Sequence, residues 1–238
     1  MELRTKNVYF KVSTDWSTMN IAILTIQSVN YGNRLQNYAL QTVLNGLGNQ
    51  AHSLRRDAGF NGPVGCKLRA IKHGLGVLRH RSDSYGAFRR FDNNFISFSD
   101  SVVSKEYTSP NLNDAYGCYV IGSDQVWNPD FDFNSELEYL PMVSSGKKLA
   151  YAASFGVSEI VENRERTAEL LTKISAISVR EAAGAGIIRE LTGRDVPVVL
   201  APTLLLGPSD WEKVSKKPDK LNLRRPYVFK YVLGDDVN

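Results

Sequence analysis

Short β-branched apolar runs alternate with segments of helical periodicity along most of the chain, and few architectures accommodate that alternation. Residues 20–26 (NIAILTI) read as a strand that ends in a polar stretch, Gln27 to Asn33. Apolar residues then recur at Leu35, Tyr38, Ala39, Val43, Leu44 and Leu47, which is helical spacing, and Gly48 fits the left-handed position that closes a helix. The succession returns with a strand over 118–121 and a loop over 122–129, then a strand over 148–153 running into Ser154-Phe155-Gly156. A helix over 162–174, a strand over 176–179, a helix over 181–191 stopped by Gly193 and a strand over 197–200 follow. Residues 88–96 predict a short aromatic-rich helix, and Trp211 sits in another begun by Ser209 or Asp210 as N-cap. Strands and helices in this order imply a mostly parallel sheet covered on both faces, an α/β, Rossmann-like fold.

Sheets of this kind bind ligands at the loops that follow the carboxyl ends of their strands. Polar clusters occupy those places here, after residues 26, 121, 153 and 179. Gly32 and Asn33 precede a helix, where unsatisfied N–H groups hold an anion or a hydroxyl; capping by Asn33 is the structural alternative. Asn37, one turn on, faces the same cleft or solvent. Ser123, Asp124 and Gln125 offer donors and acceptors suited to sugar hydroxyls, or they build a turn. Trp127 either stacks on a sugar ring or anchors packing beside Pro129. Ser154 and Gly156 line the cleft. Arg180, at a strand end, can clamp phosphate or carboxylate bidentately, or pair with Glu181.

Several classes of function are disfavoured. No Walker A sequence is present, the first strand–helix turn lacks G-x-G-x-x-G, and Gly184-Ala185-Gly186 lies inside an expected helix, where it reads as packing. No G-x-S-x-G elbow appears. Cys66 and Cys118, and His52, His73 and His80, have no metal-ligand spacing, so no metal is expected, and two cysteines without a framework suit a reducing compartment. No run of eighteen apolar residues occurs. The net charge of +4 is unevenly placed: residues 54–90 hold nine Lys/Arg against two Asp, leaving −3 elsewhere. Leu68, Ile71, Leu75 and Leu78 give that segment the pattern of an amphipathic basic helix, either a solvated face or an attractor of phosphate and anionic lipid. No nucleic-acid motif accompanies it, so nucleic acid is not an expected partner.

Five blocks in order resemble the polysaccharide pyruvyl transferase family. They are Asn30-Tyr31-Gly32-Asn33-Arg34-Leu35-Gln36-Asn37-Tyr38-Ala39-Leu40-Gln41, Gly122-Ser123-Asp124-Gln125-Val126-Trp127-Asn128-Pro129, Ala150-Tyr151-Ala152-Ala153-Ser154-Phe155-Gly156, Ile177-Ser178-Val179-Arg180-Glu181 and Pro202-Thr203-Leu204-Leu205. The resemblance runs over about residues 20–215.

It implies an enzyme that moves a pyruvyl group from phosphoenolpyruvate, as donor substrate, to a sugar of a cell-wall or exported polysaccharide. It also implies a two-domain architecture like that of GT-B glycosyltransferases, with no cofactor. On this reading residues 1–18 are an extension, 19–224 the N-terminal domain and 225–238 the start of a truncated second domain. The family's catalytic histidine would lie in that second domain, and no catalytic acid is assigned here. Substrate-binding residues would be Gly32, Asn33, Asn37, Ser123, Asp124, Gln125, Ser154, Gly156 and Arg180. The partners implied are a sugar or lipid-linked saccharide acceptor in the cytoplasm, with residues 54–90 touching the inner membrane face. One departure stands out: Ala201 replaces the Asp that family members carry before Pro-Thr-Leu-Leu. A GT-B-like glycosyltransferase using a nucleotide-sugar and a non-catalytic sugar-binding relative are the alternatives.

Overall fold

A computed structural model describes residues 18–28, 30–56, 83–105 and 107–216, together with residues 226 and 228. The chain divides into two compact units, Met1–Leu206 and Gly207–Asn238. The first holds β1 (Asn20–Leu24), α1 (Tyr31–Gly46), β2 (Gln50–Arg55), α2 (Asp83–Phe95), β3 (Phe98–Val102), α3 (Leu112–Ala115) and β4 (Cys118–Asp124). It continues with β5 (Lys148–Ala153), α4 (Arg164–Thr172), β6 (Ala176–Val179) and α5 (Ala182–Thr192), plus, among the described residues, three single-turn 3₁₀ helices. In the second unit the described residues include the short helix α6 (Pro208–Glu212), whose N-cap is Gly207. Asp210 lies inside that turn and accepts from the Gly207 N–H at 3.3 Å, so neither Ser209 nor Asp210 starts the helix.

The six strands form one sheet in the order β3-β2-β1-β4-β5-β6, and every pairing is parallel. Strand order reverses direction between β1 and β4, the topological switch point of doubly wound sheets. β1 shows why both faces must be covered. Ala22 and Leu24 join the larger core cluster, whereas Ile21 and Ile23 point the other way, onto Leu40 of α1 and Ala51 of β2. That is the period-2 alternation of a strand with no solvent face.

The expected strands over 148–153 and 176–179 form with those bounds. Gly48 and Gly193 take φ +87° and +71° at the ends of α1 and α5. Gly184 packs inside α5 against Val179 and Phe155. Two expectations are corrected, and two strands carried no signal in the sequence. β2 and β3 were not legible as strands, because QAHSLR and FSDSV are half polar; their backbone pairs with a neighbouring strand rather than with itself. The expected loop at 122–124 is the end of β4. The strand expected over 197–200 is only a parallel bridge, Val179 to Val198. Met1–Thr18 is described only at its last residue, and the positions 68–78 that carry the expected basic helix lie outside the described residues, as do all of residues 225–238 except 226 and 228. Among the described residues no helix is long and apolar enough to cross a membrane.

Trp127 is a packing anchor. It is 1% exposed, stacks on Tyr139 with ring centroids 5.5 Å apart, tilts against Phe155 and donates its indole N–H to the Glu138 carbonyl at 3.2 Å. This pins the loop after β4 onto the sheet.

Candidate functional site

α1 begins directly above the switch point, and its cap decides which side chains are available there. Asn30 is the N-cap, with extended backbone (φ −144°, ψ 135°), and its side chain accepts from the N–H groups of Gly32 at 2.6 Å and Asn33 at 3.4 Å. An N-cap oxygen reaches the second and third helical N–H groups, which are those two residues when the helix starts at Tyr31. Capping therefore falls to Asn30 and not to Asn33. The Asn33 amide is left to cross the switch point, where it donates to Asp124 Oδ2 at 2.5 Å.

Asp124 is the centre of the cluster. It ends β4 with φ +78°, a left-handed conformation that Asp tolerates better than most residues. Its Oδ1 accepts from the Gln125 N–H at 2.9 Å and from Arg180 Nη1 at 3.3 Å. Arg180 follows β6, its backbone N–H bonded to the Ala153 carbonyl at 3.2 Å, and its Nε lies 3.3 Å from Glu181 Oε2. Three loops separated by tens of residues thus meet in Asn33, Asp124 and Arg180. The Arg180–Asp124–Glu181 group carries a formal charge of −1, and the Arg180 guanidinium is shared between two carboxylates.

The remaining sequence-picked residues divide by burial. Gly32, Gln125 and Gly156 line the surface around the cluster. Gln125 Oε1 accepts from Asn128 at 3.0 Å, and Gly156 has φ +67° with no room for a Cβ beside Asn128 and Gln125. Asn37 is placed elsewhere: it is 4% exposed, and its Oδ1 accepts from Ser53 Oγ at 2.6 Å in the packing between α1 and β2. Ser123 is buried, donating to Gln36 Oε1 at 2.8 Å. Ser154 is also buried and accepts from the Gly156 N–H at 3.0 Å. These three shape the loops from below.

Sequence reasoning passed over Arg34, Gln36, Arg56 and Glu138. Arg34 bonds the Ser28 carbonyl at 2.5 Å, pairs with Asp92 at 2.9 Å and lies 4.3 Å over the Phe88 ring. Phe88 and Asp92 are four residues apart on α2, so they present one face to it; that spacing was the available signal. Arg34→Ala is expected to cost about 1–2 kcal/mol by loss of a half-buried ion pair and a cation–π contact, measured by urea unfolding. An unchanged midpoint would show that Arg34 does not hold α2 to the site.

Beside the cluster, at the ends of β1, β2 and β3, lies a cavity of about 260 Å³. Its wall includes Ser28, which bonds Asn33, so the cavity adjoins the Asp124 group. Arg56 pairs there with Glu138, which is 2% exposed. Burial pushes the Glu138 carboxyl up, and the Arg56 guanidinium and Lys105 pull against it. Among the described residues no three His, Cys, Asp or Glu side chains come together as metal ligands. The arrangement can bind polar and anionic groups and position hydroxyls.

No curated protein and no solved structure matches the chain. A family model described as polysaccharide pyruvyl transferase matches residues 30–238, from the cap of α1 through every loop of the cluster. With nearly the whole length matched, the chain belongs to the polysaccharide pyruvyl transferase family.

Proposed function

We propose that this protein transfers a pyruvyl group from phosphoenolpyruvate to a saccharide, with the switch-point cluster as its substrate site. The carrying observation is that Asn33, Asp124 and Arg180, from three separate family-matched segments, form one hydrogen-bonded group at the sheet's switch point. In this reaction the methylene carbon of the enol gains a proton and a sugar hydroxyl adds to the neighbouring carbon. The carbon–oxygen bond to phosphate then breaks, and a second hydroxyl closes the ketal. The two hydroxyl protons end on the new methyl group and on the departing phosphate, so the step is redox-neutral. Asp124 and Asn33 suit hydroxyl positioning, and Arg180 suits one of the donor's two anionic groups, leaving the other to the cavity beside it. A GT-B-like arrangement, in which a second lobe supplies the acid, and a cytoplasmic setting with residues 54–90 against anionic lipid belong to the same proposal.

The test follows phosphate release from phosphoenolpyruvate together with the ketal methyl signal in the saccharide, for the full chain. Both are expected in equal amounts, and Arg180→Gln is expected to lower kcat/KM by about 10–100-fold. Tight binding of a nucleotide-sugar with no phosphate release would replace this reading with glycosyl transfer. Ala201 favours a second reading, a sugar-binding relative without turnover. On that reading wild type binds saccharide without releasing phosphate, and Ala201→Asp does not change this.

A further inference from the structure

The Asp124 cluster does not account for the cavity beside it. That cavity's walls are Ile26 and Phe133 on the apolar side and Ser28, Arg56, Lys105 and Glu138 on the polar side. Its hydrogen bonds do not close. Arg56 Nη2 is used by Glu138, but Arg56 Nη1 is buried with no hydrogen-bond partner among the described residues. Lys105 Nζ gives one hydrogen to the Asp132 carbonyl at 3.1 Å, and an ammonium has three. Among the described lining residues two cations stand against one carboxylate, a charge of +1, whereas the Arg180 group next to it stands at −1. An anion arriving at the switch point is drawn to the side with positive charge and unused N–H groups.

Size narrows the ligand further. Drug-sized ligands occupy roughly 300–1,000 Å³, so about 260 Å³ is on the scale of a small metabolite. We infer that the cavity at the ends of β1, β2 and β3 is a binding site for a small phosphate- or carboxylate-bearing anion, held by Arg56 and Lys105. Naming that anion as phosphoenolpyruvate rests on the function proposed above; the anion site itself does not. Glu138 then acts as a brake. Ionised, it takes half of the Arg56 fork and repels the ligand.

The experiment is calorimetric titration of the full chain with inorganic phosphate and, separately, with phosphoenolpyruvate, for wild type, Arg56→Gln, Lys105→Gln, Glu138→Gln and Arg180→Gln. Arg56→Gln and Lys105→Gln are each expected to weaken phosphate binding by about tenfold, the scale of one charge-assisted hydrogen bond. Glu138→Gln is expected to tighten it several-fold, a sign that a merely structural role would not produce. Lys105 is exposed, so its variant tests the idea even where Arg56→Gln unfolds. Wild-type affinity in both Arg56→Gln and Lys105→Gln would overturn the inference, and so would failure of wild type to bind either anion at millimolar concentration. If Arg180→Gln alone abolishes binding, the donor reading survives and this site does not. If binding depends on Arg56 and Lys105 but no pyruvyl group is transferred, this site stands and the donor reading falls.

Discussion

Gly122→Ala is expected to be the most damaging single-methyl substitution at the sheet's centre, costing about 3–5 kcal/mol and lowering the melting temperature by about 6–20 °C. A Cβ at this position would lie 2.5 Å from the Tyr151 carbonyl oxygen, and the residue has φ +110°. The obstacle is backbone of the paired strand, where Gly122 stands opposite Tyr151, so no side-chain rotation relieves it. β4 and β5 must separate just below Asp124, which spoils the site together with the fold. Gly186→Ala is the control. It sits inside α5 with nothing within 4 Å of the added carbon, and it is expected to stabilise by about 0.5–1 kcal/mol because alanine loses less backbone entropy. Thermal unfolding of both variants measures the difference. A Gly122→Ala protein as stable as wild type would mean that the β4–β5 contact is looser than described.

Asp124→Ala is expected to lower kcat/KM by about 100-fold, the cost of misplacing reacting groups, while destabilising by only about 2–3 kcal/mol. Its carboxylate is the common acceptor for Asn33, Arg180 and the Gln125 N–H, so its removal frees three loops at once. Alanine also tolerates φ +78° less well than aspartate does. Asp124→Asn separates the two effects. Asparagine accepts the left-handed backbone and keeps an acceptor, so stability is expected to return to near wild type. Turnover is expected to stay low because the charge that orients Arg180 is missing. Asp124→Ala with full turnover would remove the cluster from the chemistry. Equal recovery of stability and turnover in Asp124→Asn would make its role one of support alone.

Much of this site could be read before any coordinates. The blocks around Asn33, Asp124 and Arg180 were singled out because each follows a strand, and the three meet in space. The individual roles were less legible. On composition the cap falls to Asn33, and only the start of α1 at Tyr31 gives that role to Asn30 instead. Asn37 is one helical turn from Asn33, yet the rotation of α1 turns it into the sheet, where Ser53 satisfies it. Arg56 and Glu138 are 82 residues apart, and nothing in either neighbourhood announces the pairing.

Periodicity and punctuation are local properties, carried by residues within a turn or two of each other. They were enough to place β5 and β6 at their true bounds, the glycine stops after α1 and α5, and the layered parallel class. Parallel strands, by contrast, take their hydrogen bonds from backbone tens of residues away. The existence of β2 and β3, the continuation of β4 to Asp124, the reduction of 197–200 to one bridge and the meeting of Arg56 with Glu138 therefore had to await the assembled sheet. A half-polar segment becomes a strand when its neighbour offers an edge, and a loop residue becomes part of a site when the strands beneath it fall side by side.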